Sequence, residues 1–172
     1  MKLIVAVDKE WGIGNKGDLL ARIRADLLHF KKLTEGKTVI LGSNTIATFP
    51  GGRALKNRVN IVLHPEMRSD AIEGATVVHS IDEALEFAGK FPKDDVFVIG
   101  GASVYRQFLP YCDTAYVTKF DKSFEKDVYF EDLDRSDEWK CVYKGKRQVS
   151  DPEKDTEADL GFRFTTYKRK TK

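Results

Sequence analysis

Cysteine and histidine are scarce in this chain of 172 residues. Its two cysteines, Cys112 and Cys141, lie far apart with no CxxC pairing, and its three histidines, His29, His64 and His79, are scattered. That spacing excludes the usual zinc signatures and a disulfide framework, and it suits a reducing, cytoplasmic compartment. Long apolar runs are missing too. Met1 to Val7 is apolar but gives way to Asp8-Lys9-Glu10, which reads as too short for a signal core or a membrane span. Neither sign of charge dominates. A formal net charge of +2 does not argue for nucleic acid or a membrane surface. The closing run Lys168-Arg169-Lys170-Thr171-Lys172 reads as a solvated end. No Ser/His/Asp set, Cys/His set or metal-water ligand set is apparent, and there is neither a GxGxxG nor a P-loop. An enzyme built this way leaves the hard chemistry to a bound cofactor.

What is present is ordinary in bulk. Hydrophobic residues are 41% and charged residues 33%, the balance of a globular protein able to bury a core without staples. The length predicts a single domain over 1–172, with no repeat or linker to divide it. Short apolar runs predict strands at Leu3–Val7, Lys37–Leu41, Arg58–Leu63, Ala75–Val78, Val96–Ile99 and Thr114–Thr118. Helical patterning falls between them at Ile23–Leu33, Ser43–Thr48, after the capping box Ser80-Ile81-Asp82-Glu83, and from Ala102 to near Pro110. Trp11 to Asp18 reads as a glycine-punctuated loop, and Phe49-Pro50-Gly51-Gly52 must turn. Trp139–Tyr143 and Phe162–Tyr167 alternate and read as an antiparallel hairpin around a polar, acidic loop. The expected fold is α/β: one domain, a mainly parallel open sheet with helices on both faces, and a C-terminal antiparallel hairpin at its edge.

Asp26 is the residue that most asks for an explanation. It falls on the helix face marked by Ile23, Leu27, Phe30 and Leu33, and burying an unpaired carboxylate costs several kcal/mol or forces protonation. Either it caps, pairs locally or meets solvent near the helix start, where the dipole favours acids, or a ligand is its partner. Two strand–glycine–helix passages stand out as well, Val98-Ile99-Gly100-Gly101-Ala102-Ser103 and Leu41-Gly42-Ser43-Asn44-Thr45. Glycine there admits a ligand to the backbone and a helix N-terminus favours an anion, as a nucleotide would require; a tight packing turn would use the same residues. Arg58 opens an apolar strand, as a surface residue or as a bidentate carboxylate clamp.

In this order the pieces resemble the dihydrofolate reductase family, bacterial type. The matching residues are Gly12-Ile13-Gly14-Asn15-Lys16-Gly17-Asp18-Leu19, then Asp26-Leu27 with Phe30-Lys31 and Thr34. Next come Val39-Ile40-Leu41-Gly42 with Thr45, Phe49-Pro50-Gly51-Gly52-Arg53 and Asn57 to Leu63. Val98 to Gly101, Val104-Tyr105, Phe108-Leu109-Pro110, Tyr116-Val117-Thr118, and Asp127 with Phe130 complete the set. The resemblance runs from Leu3 to the last strand. It implies reduction of 7,8-dihydrofolate to tetrahydrofolate by hydride from NADPH, in one-carbon metabolism, by a cytoplasmic protein that acts as a monomer, touches neither nucleic acid nor membrane, and is an antifolate target.

The resemblance also implies roles. Asp26 supports protonation of the pterin and Thr118 supports Asp26. Ile4, Val5, Leu27, Phe30, Lys31, Phe49, Leu55, Ile99 and Tyr105 contact the substrate, and Arg58 takes its glutamate carboxylate. Ala6, Ile13, Gly14, Gly42, Ser43, Asn44, Thr45, Leu63, His64, Gly100, Gly101, Ala102, Ser103, Val104 and Tyr105 meet the cofactor, and Ile13-Gly14 begin a mobile loop. The chain departs from the family's pattern at several points. Leu19-Leu20-Ala21 stands where Leu-Pro-Trp is usual, and Arg24 where a proline is common. Ser43, His64-Pro65 and Ser103 replace an arginine, a Ser/Thr pair and a basic residue at the 2′-phosphate. His64 and Arg68 are left to recognise that group, so use of NADH stays open. Two other readings remain at this point: reduction of another heterocycle, such as a riboflavin-pathway pyrimidine, and pterin or nucleotide binding without turnover.

Overall fold

A computed structural model describes residues 1–171. In chain order the elements are β1 (Lys2–Val7), β2 (Gly12–Asn15), β3 (Asp18–Leu19), α1 (Arg24–Thr34), β4 (Thr38–Gly42), α2 (Ser43–Ile46), β5 (Val59–Leu63) and β6 (Ala75–Val78). They continue with α3 (Ile81–Ala88), β7 (Val96–Gly100), α4 (Ala102–Phe108), β8 (Thr114–Phe120), β9 (Val128–Tyr129), β10 (Trp139–Lys144), β11 (Gln148–Val149) and β12 (Gly161–Arg169). The described residues divide into two compact units: Met1–Leu3 with Thr34–Cys112, and Ile4–Leu33 with the residues from Asp113 onward.

In the first unit the strand order is β1-β7-β4-β5-β6, and every pairing is parallel. Val39, Ile40, Leu41, Ile61, Val62 and Val98 are fully buried. Continuous rather than alternating burial is what a parallel sheet requires, which is why these strands were legible as plain apolar runs. Half of the expected capping box forms: Ser80 Oγ accepts the Glu83 N–H at 3.1 Å, while the Glu83 carboxylate reaches past the Ser80 N–H to accept that of His79 at 2.9 Å. Gly89 ends α3 as expected.

The second unit holds the antiparallel pairings. β12 lies between β10 and β8, and β11 adds a short pairing to β12. The predicted hairpin is therefore correct, with its second strand also locked to β8 from Phe162↔Phe120 to Lys168↔Thr114. Ile23, Phe120, Leu160 and Phe162 form a buried cluster, with Ala21, Ala25, Phe124 and Phe164 packed against it. Two expectations need correction here. The loop after β1 is not structureless, since β2 pairs with both β3 and β9. The stripe of α1 is not all core, since Leu27 is 49% exposed. The helix is held instead by Ala25 in the cluster and by His29, one turn on, whose ring stacks on Phe164 at 4.0 Å between centroids.

Candidate active site

Asp26 sits in the first turn of α1, and Thr118 sits on β8. The Thr118 hydroxyl donates to Asp26 Oδ1 at 2.6 Å, the length of a strong bond to a carboxylate. Thr118 is 1% exposed. Desolvation pushes the Asp26 carboxyl up to about 6, against the opposing pull of the Thr118 hydroxyl. Among the described residues no cation pairs with this carboxylate. An acid so placed is half-protonated near pH 6 and still protonated in roughly a tenth of molecules at neutral pH, the condition for passing a proton rather than for holding a salt bridge.

Three contacts fix this geometry. Phe164 is the register partner of Thr118 across β12 and β8, so the His29 stack ties α1 to the strand beside the threonine. The loop between β11 and β12 braces the start of the helix. Asp155 Oδ1 accepts the Arg24 N–H at 2.7 Å, and Thr156 Oγ1 accepts the Arg22 N–H at 2.8 Å. A helix leaves its first N–H groups without internal partners, and here an acid 131 positions away supplies one. Ala21, at the site of the departure from Leu-Pro-Trp, packs on the Ile23 cluster. Ile4 and Val5 are buried on β1, while Ala6, Phe30 and Ile13 are partly buried, Gly14 is buried and Lys31 is exposed.

In the first unit, Gly100 and Gly101 join β7 to α4 through a cis peptide bond. A Cβ added to Gly101 would lie 3.2 Å from Thr45 Oγ1, and one added to Gly42 would lie 3.2 Å from Val104 Cγ2. The two strand–glycine–helix passages therefore meet, and side chains at these glycines would fill the cradle between them. Among the described residues no side chain caps α2 or α4, and uncapped first N–H groups at a helix start are donors an anion can use. A nucleotide's phosphates fit this arrangement. Thr45 and Ser43 lie at α2 and Ala102 opens α4, while Val104 and Tyr105 are buried beneath. Asn44 is exposed, and Leu63 and His64 are partly buried at the end of β5.

The departures have distinct consequences. His64 Nδ1 accepts the N–H groups of Glu66 and Met67, so that ring face serves its own turn. Ser103 Oγ accepts from Gln107 at 2.9 Å. Among the described residues Arg68 pairs only with Asp70, and both are largely exposed, a weak partnership a ligand can replace.

Arg58 is held rather than loose. Its Nε donates to Thr34 Oγ1 at 3.2 Å and its Nη1 to the Lys56 carbonyl at 2.7 Å. Asn60, which sequence reasoning missed, organises the same loop. It is 1% exposed, accepts the Leu55 N–H at 3.0 Å and donates to the carbonyls of Leu55 and Arg58. A buried amide inside an apolar strand was the available signal, because such a group must find partners. Phe49 and Ile99 complete the expected residues of this unit, partly buried and buried respectively.

Among the described residues there is no cluster of His, Cys, Asp or Glu able to hold a metal, and no helix is long and apolar enough to cross a membrane. The family model described as dihydrofolate reductase matches residues 1–169. A dihydrofolate reductase of Bacillus subtilis (strain 168) is 35% identical over 170 residues, covering 99% of this chain and 95% of the relative. One from Staphylococcus haemolyticus is 35% identical over 154 residues, covering 88% and 89%. The solved structure of dihydrofolate reductase from Enterococcus faecalis, complexed with NADP(H) and RAB-propyl, superposes with a TM-score of 0.82 at 33% identity, covering 99% of this chain and 96% of that one. The paired acid and threonine, the glycine cradle and these likenesses agree: the chain belongs to the dihydrofolate reductase family.

Proposed function

We infer that this protein reduces 7,8-dihydrofolate to 5,6,7,8-tetrahydrofolate with NADPH. The observation that carries the assignment of roles is the Asp26–Thr118 pair: a desolvated acid near pH 6 on a helix, fixed by one hydroxyl bond. When bound, NADPH supplies the hydride. The product also gains a proton, and Asp26 is the group poised to hold one beside the pterin. With Oδ1 committed to Thr118, Oδ2 remains to meet the pterin's N–H donors. Ile4, Val5, Leu27 and Phe30 supply apolar surface for the ring, with Leu27 exposed in the way a ligand-facing residue is. Arg58, its Nε and Nη1 already fixed, receives the glutamate carboxylate with little entropy left to lose. Gly42, Thr45 and Gly100-Gly101 admit the cofactor to the backbone.

Selectivity for NADPH over NADH rests on Ser43, on the outer face of His64 and on Arg68. The free thiols Cys112 and Cys141 suit a reducing compartment, and the reading has the protein act in the cytoplasm as a monomer. The test is oxidation of NADPH, and separately NADH, with dihydrofolate present and absent. Dihydrofolate-dependent oxidation, faster with NADPH, is expected. Oxidation with neither cofactor by folded protein would overturn the reading in favour of another heterocycle or of binding without turnover.

A further inference from the structure

The loop that carries Ile13 and Gly14 leaves β1 at Asp8, and its root is held by a group with no part in the chemistry above. Asp8 is 2% exposed. Its Oδ1 accepts the N–H groups of Glu10 and Gly12, each at 2.9 Å, and its Oδ2 accepts the Phe124 N–H at 3.0 Å. Lys126, just before β9, brings its Nζ to 2.6 Å from Asp8 Oδ2, 2.7 Å from Glu10 Oε1 and 2.8 Å from the Phe124 carbonyl. An ammonium has three protons, and these three acceptors use all of them. The lysine side chain is 5% exposed and the Asp8 side chain is at 0%.

The lysine's stem is part of the same fit. The Gly12 backbone lies directly on it, and a Cβ at Gly12 would overlap Lys126 Cδ. Gly12 in turn begins β2, which pairs with β9 through Gly12↔Tyr129 and Gly14↔Val128. Burial alone would raise Asp8; Lys126 and the three N–H groups reverse this and leave it below the ordinary carboxylate range. The bonds to Asp8 first, and to Glu10, push Lys126 up to about 12. Both groups therefore stay charged throughout the working range. The ammonium joins three stretches of chain: the end of β1, the start of the Ile13–Gly14 loop and the segment leading into β9.

We propose that Lys126 is a positioning residue for the reduction, its ammonium holding the Ile13–Gly14 strand in register with β9 so that those two residues meet the cofactor. The proposal rests on the functional reading above for the role of Ile13 and Gly14. Removing the ammonium leaves Asp8 buried with N–H donors and no counter-charge, a state that drives water or a shifted backbone into the loop root. The consequence falls on cofactor binding, while Asp26 and Thr118 keep their own supports in α1 and β8.

Three variants separate positioning from bulk stability. Lys126→Met keeps the stem and removes the charge; Lys126→Arg keeps the charge; Gly12→Ala displaces the lysine without altering charge. The readouts are the NADPH Kd by fluorescence titration, kcat and both KM values, and fluorine NMR of protein labelled with 5-fluorotryptophan. The chain has two tryptophans: Trp11 lies beside Gly12 in the loop root, and Trp139 on β10 is the control. We expect Lys126→Met and Gly12→Ala each to weaken NADPH roughly tenfold in Kd and KM, to move the Trp11 resonance and to leave Trp139 and the dihydrofolate KM nearly unchanged. Lys126→Arg should recover most of the loss. Wild-type Kd and an unmoved Trp11 resonance in Lys126→Met, with only a lower Tm, would overturn the proposal and leave the pair a purely structural brace. Failure of the functional reading is distinguishable, because it appears as a wild type that does not turn over dihydrofolate, while the Trp11 resonance still judges the brace.

Discussion

Asp26→Asn should make this protein more stable and less active at once, and the two effects should part company with pH. Carboxylates in folded proteins usually sit low and add stability above their unfolded pKa. Asp26 does the reverse: desolvation raises it from the usual 3.8 to about 6. The folded state therefore binds its proton more tightly than the unfolded chain does. Stability must fall as pH rises from about 4 to about 6, and the full penalty is present above that window. A shift of this size corresponds to about 3 kcal/mol near pH 7, roughly half of that near pH 5 and well under 1 kcal/mol at pH 4. Asparagine is nearly the same shape, still accepts from Thr118 and carries no charge. For a chain of this size we expect Tm to rise by about 6–12 °C at pH 7 and by almost nothing at pH 4. The assay is calorimetric or fluorescence-monitored melting of both proteins at matched ionic strength across that window. A gain independent of pH, or a loss at pH 7, would refute the claim that a desolvated charge is stored at Asp26. The same substitution should lower turnover sharply near neutral pH, as expected where a destabilised group is kept for function.

Other outcomes follow from single contacts. Thr118→Val removes the bond that holds Asp26 down, so the pKa read from kcat/KM against pH should move above about 6; an unmoved profile would separate the two residues. Arg58→Leu should raise the dihydrofolate KM roughly 10- to 150-fold, the about 1.5–3 kcal/mol of a charge-assisted bond, while a pterin lacking glutamate is affected little; an unchanged KM would remove Arg58 from the site. Asp155→Ala deletes the acceptor of the Arg24 N–H and should cost about 1 kcal/mol, as lost helix caps do, seen as a lower midpoint in urea melts. Gly101→Ala places a methyl 3.2 Å from Thr45 Oγ1 and should weaken NADPH without shifting the pH profile of kcat/KM.

The parallel strands were readable because buried parallel strands are unbroken apolar runs, and Ala75–Val78 coincides with its prediction. The capping box and the last hairpin were readable for similarly local reasons. The exposure of Leu27 was not readable from the period, because a helical period says which residues share a face and not what covers that face. The small sheet of β2, β3 and β9 was hidden because its strands are only two to four residues long and β2 is half glycine. The brace on α1 was hidden by distance, since nothing near Arg24 points to Asp155. Nothing in the sequence links Asp8 to Lys126, and only the fold, across 118 positions, brings them to 2.6 Å. Asp26 was conspicuous from the start; its dependence on Thr118 came from the family's pattern, and the hydrogen bond supplies its physical basis.

The most direct measurement is kcat/KM for dihydrofolate in wild type and Asp26→Asn, saturated with NADPH, from about pH 5 to about pH 9. If Asp26 holds the proton that the pterin takes up, the wild-type value is level below about pH 6 and falls roughly tenfold per unit above it, while the variant is slow throughout and lacks that break. Equal rates in the two proteins, or a shared break near pH 6, would contradict the account.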